Sequence, residues 1–95
     1  MNITTDSVAR GDLLASIAAA TVTYGPDEVD VFAIANALGR IAPHLLGSPR
    51  ERLLTALRVE GFIARRRVGN RTIWFLTPTG SALLAQRPPT DRERS

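Results

Sequence analysis

Hydrophobic and polar positions follow two rhythms along this chain, a helical one as far as Gly61 and an extended one from Phe62 to Leu76. In "DSVARGDLLASIAAATVTY" the residues Leu13, Leu14, Ile17, Ala18 and Ala20 form one broad apolar stripe, which predicts a helix from Asp6 to about Thr23. Gly11 and the β-branched Thr21, Val22 and Thr23 weaken its ends, and "YGPDE" breaks the chain after it. Asp30 reads as the N-cap of a second helix, with Val31, Ile34, Ala35 and Leu38 at i, i+3, i+4, i+7 spacing and Gly39 as its C′ residue. "RIAPHLLG" fits either a short helical turn or an extended connection, and Pro43 argues against one unbroken helix through it. Ser48-Pro49-Arg50-Glu51 reads as a capping box with proline at N1, opening a third helix that runs to about Glu60 and closes at Gly61. Leu53, Leu54 and Leu57 make its buried stripe, with Glu51, Arg52, Thr55 and Val59 roughly opposite and Arg58 to one side.

"FIARRR" and "TIWFL" then read as two strands around Gly69-Asn70, a pair suited to a two-residue hairpin loop. With that loop, Val68 pairs with Arg71, Arg67 with Thr72, Arg66 with Ile73, Arg65 with Trp74, Ala64 with Phe75 and Ile63 with Leu76. The expected hairpin has an apolar root of Ile63, Phe75 and Leu76 and a tip carrying Arg66, Arg67, Asn70 and Arg71. Arg65 faces Trp74, where a cation–π contact worth about 0.5–1 kcal/mol is available. "TPTGSALLAQ" predicts a last short helix with Thr77 as N-cap, Pro78 at N1, and Ala82, Leu83 and Leu84 packing inward. "RPPTDRERS" has two prolines, alternating charges and no apolar anchor, so residues 87–95 are expected to be a disordered tail behind one domain at 1–86. The expected class is mainly α with a small β-hairpin, α+β.

Charge adds direction to this outline. The net charge is only +3, but residues 1–39 hold one arginine against five acids while residues 40–71 hold eight arginines against two. One basic zone on a small charge-separated domain suggests a phosphate-bearing partner. Every basic residue is arginine, which suits bidentate contact with phosphates and guanine edges, although a GC-rich genome accounts for the lack of lysine equally well. The chain has no cysteine, which removes disulfides and thiolate chemistry. Its apolar stretches fall short of the roughly 20 residues that span a bilayer, and the N-terminus has no signal-peptide pattern, so no membrane association and a cytoplasmic location are expected.

Little in the sequence supports catalysis. His44 is the single histidine, and with no cysteine or carboxylate at ligand spacing no metal site or cofactor is expected. It reads as a surface or packing residue, or alternatively as a phosphate contact at the start of the third helix. No nucleophile elbow, Walker loop or dinucleotide fingerprint is present. Asp27, Glu28 and Asp30 cluster before a helix, where capping is their natural role. The chain is not expected to be an enzyme.

The order helix, helix, capped helix, cationic hairpin, short helix resembles a winged helix-turn-helix domain, closest to the MarR-like and PadR-like bacterial repressors, over about residues 10–85. Leu57, Gly61, Phe62, Ile63, Arg65 to Arg67, Trp74, Leu76, Thr77 and Gly80 carry the resemblance, through a Gly-aromatic-Ile-basic run followed by aromatic–x–Leu–Thr–x–x–Gly. The 39–48 connection is longer than the usual tight turn, and the long C-terminal dimerisation helix of MarR-like proteins is lacking. The resemblance implies that the third helix enters the major groove and the wing reaches the backbone or minor groove. It places Arg52 and Thr55 at base edges, with Ser48, Arg50 and Arg58 near phosphates. On the wing, Arg65, Arg66, Arg67 and Arg71 are the candidate contacts, and Asn70 belongs to the site as a turn former. Trp74 is expected to pack rather than stack on a base. The implied function is sequence-specific binding of double-stranded DNA by a small transcription regulator, a repressor acting as a homodimer on an inverted repeat. The alternatives are a winged helix used for protein–protein contact, and sequence-neutral binding of DNA or RNA.

Overall fold

The computed structural model describes residues 3–86. Four helices and an antiparallel hairpin follow one another: α1 (Ile3–Tyr24), α2 (Val31–Ile41), a 3-10 turn (Pro43–Leu45), α3 (Ser48–Val59), β1 (Ile63–Val68), β2 (Arg71–Leu76) and α4 (Pro78–Gln86). The class is α+β, mainly helical. The expected tail at residues 87–95 lies outside the described residues.

The apolar stripe of α1 forms the centre of the core. Leu13, Leu14 and Ile17 are fully buried against Ile34 and Leu38 of α2, Leu57 of α3, and Ile63 and Ile73 of the hairpin. Each such side chain contributes about 1.5–3 kcal/mol by leaving water. α1 packs on α2, α3, β2 and α4, so one helix touches all the other helices and one strand of the hairpin.

Helix ends follow local chemistry, with two departures from expectation. Asp30 caps α2 as expected: its backbone is extended and its carboxylate accepts the Ala33 N–H at 3.0 Å. Gly39 does not end this helix, which continues through it to Ile41. The stop is set by Pro43, because a residue before proline is pushed out of the helical region. Ala42 accordingly sits at φ −151°, ψ 72°, donating its N–H to the Leu38 carbonyl at 2.7 Å. The connection then makes the short 3-10 turn and buries Leu45. At α3 the expected capping box does not form. Gly47 is the N-cap at φ +88°, a conformation that favours glycine, and no side chain caps the helix. The helix thereby begins one residue earlier, placing Ser48 inside it, and Glu51 N–H bonds the Gly47 carbonyl.

The C-terminus of α3 is a Schellman motif. Gly61 adopts φ +86°, its N–H reaches the Arg58 carbonyl at 3.1 Å, and the Phe62 N–H reaches the Leu57 carbonyl at 2.9 Å. This reversal delivers the chain into β1. The hairpin has the expected register at all six pairs, Ile63↔Leu76 through Val68↔Arg71. Gly69 has φ +63° and Asn70 does not have positive φ, the sign pattern of a II′ turn.

The root of the hairpin differs from expectation. Ile63, Ile73 and Trp74 are buried, whereas Phe75 is 37% exposed and Leu76 half-buried. Adjacent residues of a strand point to opposite faces, so burial of both Ile73 and Trp74 means that β2 is covered on both sides at its middle, where it packs on α1. The Trp74 N–H also donates to the Val29 carbonyl at 2.8 Å, bringing the α1–α2 connection alongside β2. On α4, Leu83 and Leu84 are half-buried, but Ala82 is exposed rather than packed inward.

The start of α4 locks onto the end of α3. Thr77 caps the helix by accepting the Gly80 N–H at 3.1 Å, and its hydroxyl donates to the Gly61 carbonyl at 2.6 Å. The Thr77 N–H donates to the Phe62 carbonyl at 3.1 Å. Gly80 sits so close to this junction that a Cβ there would lie 1.8 Å from the Phe62 carbonyl oxygen.

Candidate nucleic-acid interface

The basic side chains collect on α3 and on the adjoining β1–β2 hairpin, two elements in direct contact. On α3, burial of Leu54 and Leu57 turns Glu51, Arg52, Thr55, Arg58 and Val59 to solvent, as the apolar spacing predicts. Leu53 is half-buried at the edge of the stripe. Arg50 is half-buried and donates to the Glu51 carboxylate at 3.0 and 3.2 Å. Ser48 is exposed on the first turn, and His44 is exposed on the 3-10 turn before it. Arg10 forms a two-pronged ion pair with Glu60, tying α1 to the end of α3. The Arg10 hydrogen bond holds the Glu60 carboxyl below its usual range.

The hairpin arginines divide between its two faces. Register and strand alternation put Arg65 and Arg67 on one face with Trp74 and Thr72, and Arg66 and Arg71 on the other with Ile73 and Val68. On the second face the arginines meet the α1–α2 connection. Arg66 pairs with the Asp27 carboxylate and reaches the Pro26 carbonyl at 3.4 Å. Arg71 donates to the carboxylates of Glu28 and Asp30, each at 2.8 Å, and to the Glu28 carbonyl at 3.4 Å. The hydrogen bond to Glu28 and then that to Asp30 raise the Arg71 pKa. The Asp30 carboxyl is held below its usual range, first by the Ala33 N–H and then, against the opposing effect of burial, by Arg71.

On the first face, the Arg65 guanidinium lies 5.8 Å from the centre of the Trp74 ring, the expected cation–π contact. Trp74 packs, as expected, and its indole N–H has no partner among the described residues. Arg67 projects at the exposed end of β1. Among the described residues, Arg52, Arg58, Arg65 and Arg67 have no ion pair, and Arg65 alone of these lies over an aromatic ring. Asn70 is exposed in the turn, at the same end of the hairpin.

The structure thus brings most of the sequence-predicted residues onto two neighbouring elements, and it gives the acidic cluster a role beyond the capping expected of it. Asp27, Glu28 and Asp30 hold two of the hairpin arginines, and only Asp30 also caps a helix. The signal available was the opposed charge of the two chain segments, which makes a long-range pairing between them favourable but does not say which residues meet. Among the described residues, no helix is long and apolar enough to cross a membrane, and no group of His, Cys, Asp and Glu could hold a metal ion. The chain matches no known protein family, no curated protein and no solved structure.

Proposed function

We propose that this protein binds double-stranded DNA as a winged helix-turn-helix regulator, with α3 in the major groove and the β1–β2 hairpin as the wing. The observation that carries this reading is the pair of adjoining cationic surfaces: Arg52 and Arg58 on the solvent face of α3, unpaired among the described residues, and Arg65 and Arg67 on one face of a hairpin that packs against it. Arginine can grip guanine O6 and N7 in a bidentate manner, and the Thr55 hydroxyl and methyl lie on the same helix face to meet a neighbouring base. Ser48, Arg50 and the Asn70 turn complete the set as contacts near the backbone.

The regulator would act as a repressor, binding as a homodimer to an inverted repeat. Selection of bound duplexes from a random pool, at stated salt, tests this directly. A conserved palindromic motif is expected, with one half-site per protomer. Arg52→Ala should relax preference at one base-pair position at a cost of about 1–3 kcal/mol. Equal losses on every duplex would favour sequence-neutral binding instead. Absence of duplex binding at low salt would leave a winged helix used for protein–protein contact.

A further inference from the structure

The four hairpin arginines are not equivalent as phosphate ligands. Arg71 is already engaged with two carboxylates and a carbonyl, and Arg66 with one carboxylate and a carbonyl. A phosphate approaching that face would have to displace carboxylates in contact and would meet Asp27, Glu28 and Asp30 together, a like-charge encounter that costs free energy. The opposite face has no such acids among the ion pairs of the described residues. There Arg67 is unpaired, and Arg65 rests on a Trp74 ring that is itself buried and fixed. An arginine over an aromatic face keeps its charge and its edge N–H donors for an anion.

We propose that the hairpin grips phosphate through one face only, by Arg65 and Arg67. Arg66 and Arg71 are positioning residues: clamped by Asp27, Glu28 and Asp30, and aided by the Trp74–Val29 backbone bond, they set the pose of the hairpin on the helical body. The proposal rests on the DNA reading above and divides its candidate contacts into two roles. The acidic strap also keeps the hairpin from presenting four free cations to any polyanion, which leaves more of the discrimination between sequences to α3.

The test is the salt dependence of binding to one fixed duplex, measured by fluorescence anisotropy for the full chain and for Arg67→Ala, Arg66→Ala, Asp27→Asn and the Arg66→Ala/Asp27→Asn double variant, with thermal melts confirming that each folds. Arg67→Ala should flatten the plot of log K against log salt by about 0.9, equivalent to roughly 3.5-fold in affinity over a fourfold change in salt. Arg66→Ala should leave the slope unchanged, Asp27→Asn should steepen it because it frees Arg66 for phosphate, and the double variant should return to the parent slope because the freed cation is then absent. A slope loss in Arg66→Ala equal to that in Arg67→Ala overturns the assignment. So does a double variant as steep as Asp27→Asn alone, which would show that the added slope does not come through Arg66. If the unmodified chain binds no duplex at low salt, the DNA reading falls and this assignment with it. If it binds and the slopes go the other way, the assignment falls alone.

Discussion

Beyond the core packing of Ile63, Ile73 and Trp74, two polar junctions join the hairpin to the helical body, and they are built from different physics. At its base, the Gly61-Phe62 reversal and the Thr77-Pro78-Thr79-Gly80 start of α4 meet backbone to backbone, through hydrogen bonds from the Thr77 N–H and hydroxyl and a contact that leaves no room for a Cβ. Toward its tip, Arg66 and Arg71 meet Asp27, Glu28 and Asp30 through exposed or part-exposed side chains. The first junction is steric and neutral, so salt and pH should hardly touch it. The second is ionic and solvated, so it weakens with screening.

The steepest test of this contrast is Gly80→Ala. Alanine would gain helix propensity, but its Cβ must displace the Phe62 carbonyl, and such overpacking costs about 1–3 kcal/mol. At 4–8 °C per kcal/mol for a domain of about this size, thermal melts should show a clear loss, equal in low and high salt. A neutral result would mean that the junction yields easily and that the comparison is misdrawn. Thr77→Ala comes next, losing the cap on Gly80 and the bond to Gly61 for about 1 kcal/mol, again independent of salt. Thr77→Ser should recover most of that loss.

The ionic junction should respond in the opposite way. Asp30→Asn keeps an N-cap side chain and removes the charge facing Arg71. Because the folded Asp30 carboxyl is held below its unfolded value, its contribution is fully present above about pH 4 and is lost as the pH falls through the lowered value. Asp30→Asn should therefore be less stable than the parent at neutral pH, and the gap should close on acidification in urea-unfolding series. The smallest effect is expected from Asp27→Asn, whose partner pair is exposed on both sides: about 0.2–1 kcal/mol at low salt, vanishing near 1 M salt. A loss that persisted in high salt would show that the strap acts through packing and not through charge.

Legibility in the sequence followed the range of the interactions. The hairpin register was readable to the residue because a two-residue Gly-Asn loop sets every pair in turn, and the Arg65–Trp74 contact follows from that register. The outward face of α3 was readable because leucines at helical spacing leave no other orientation. Helix ends were harder. Gly39 carries the sequence signature of a stop, yet Pro43 sets the boundary, and Ser48 carries the signature of a cap, yet Gly47 takes the position by adopting a backbone that other residues avoid. At the root of the hairpin, Phe75 is as apolar as Trp74, and only the packing of β2 on α1 decides which is buried.

What the sequence alone determined is the set of local periods, the hairpin pairing, the α+β class, and the concentration of arginine in residues 40–71. Those depend on neighbours a few residues apart, whose geometry the backbone dictates. Only the tertiary structure decided which arginines are engaged and which project free. Asp27 and Arg66 are 39 residues apart in the chain and Asp30 and Arg71 are 41 apart, and no local pattern relates them. They meet because α1 carries its C-terminal end to the edge of β2, where the Val29–Trp74 bond brings the acidic strap beside the strand, and opposite charges brought that close form ion pairs.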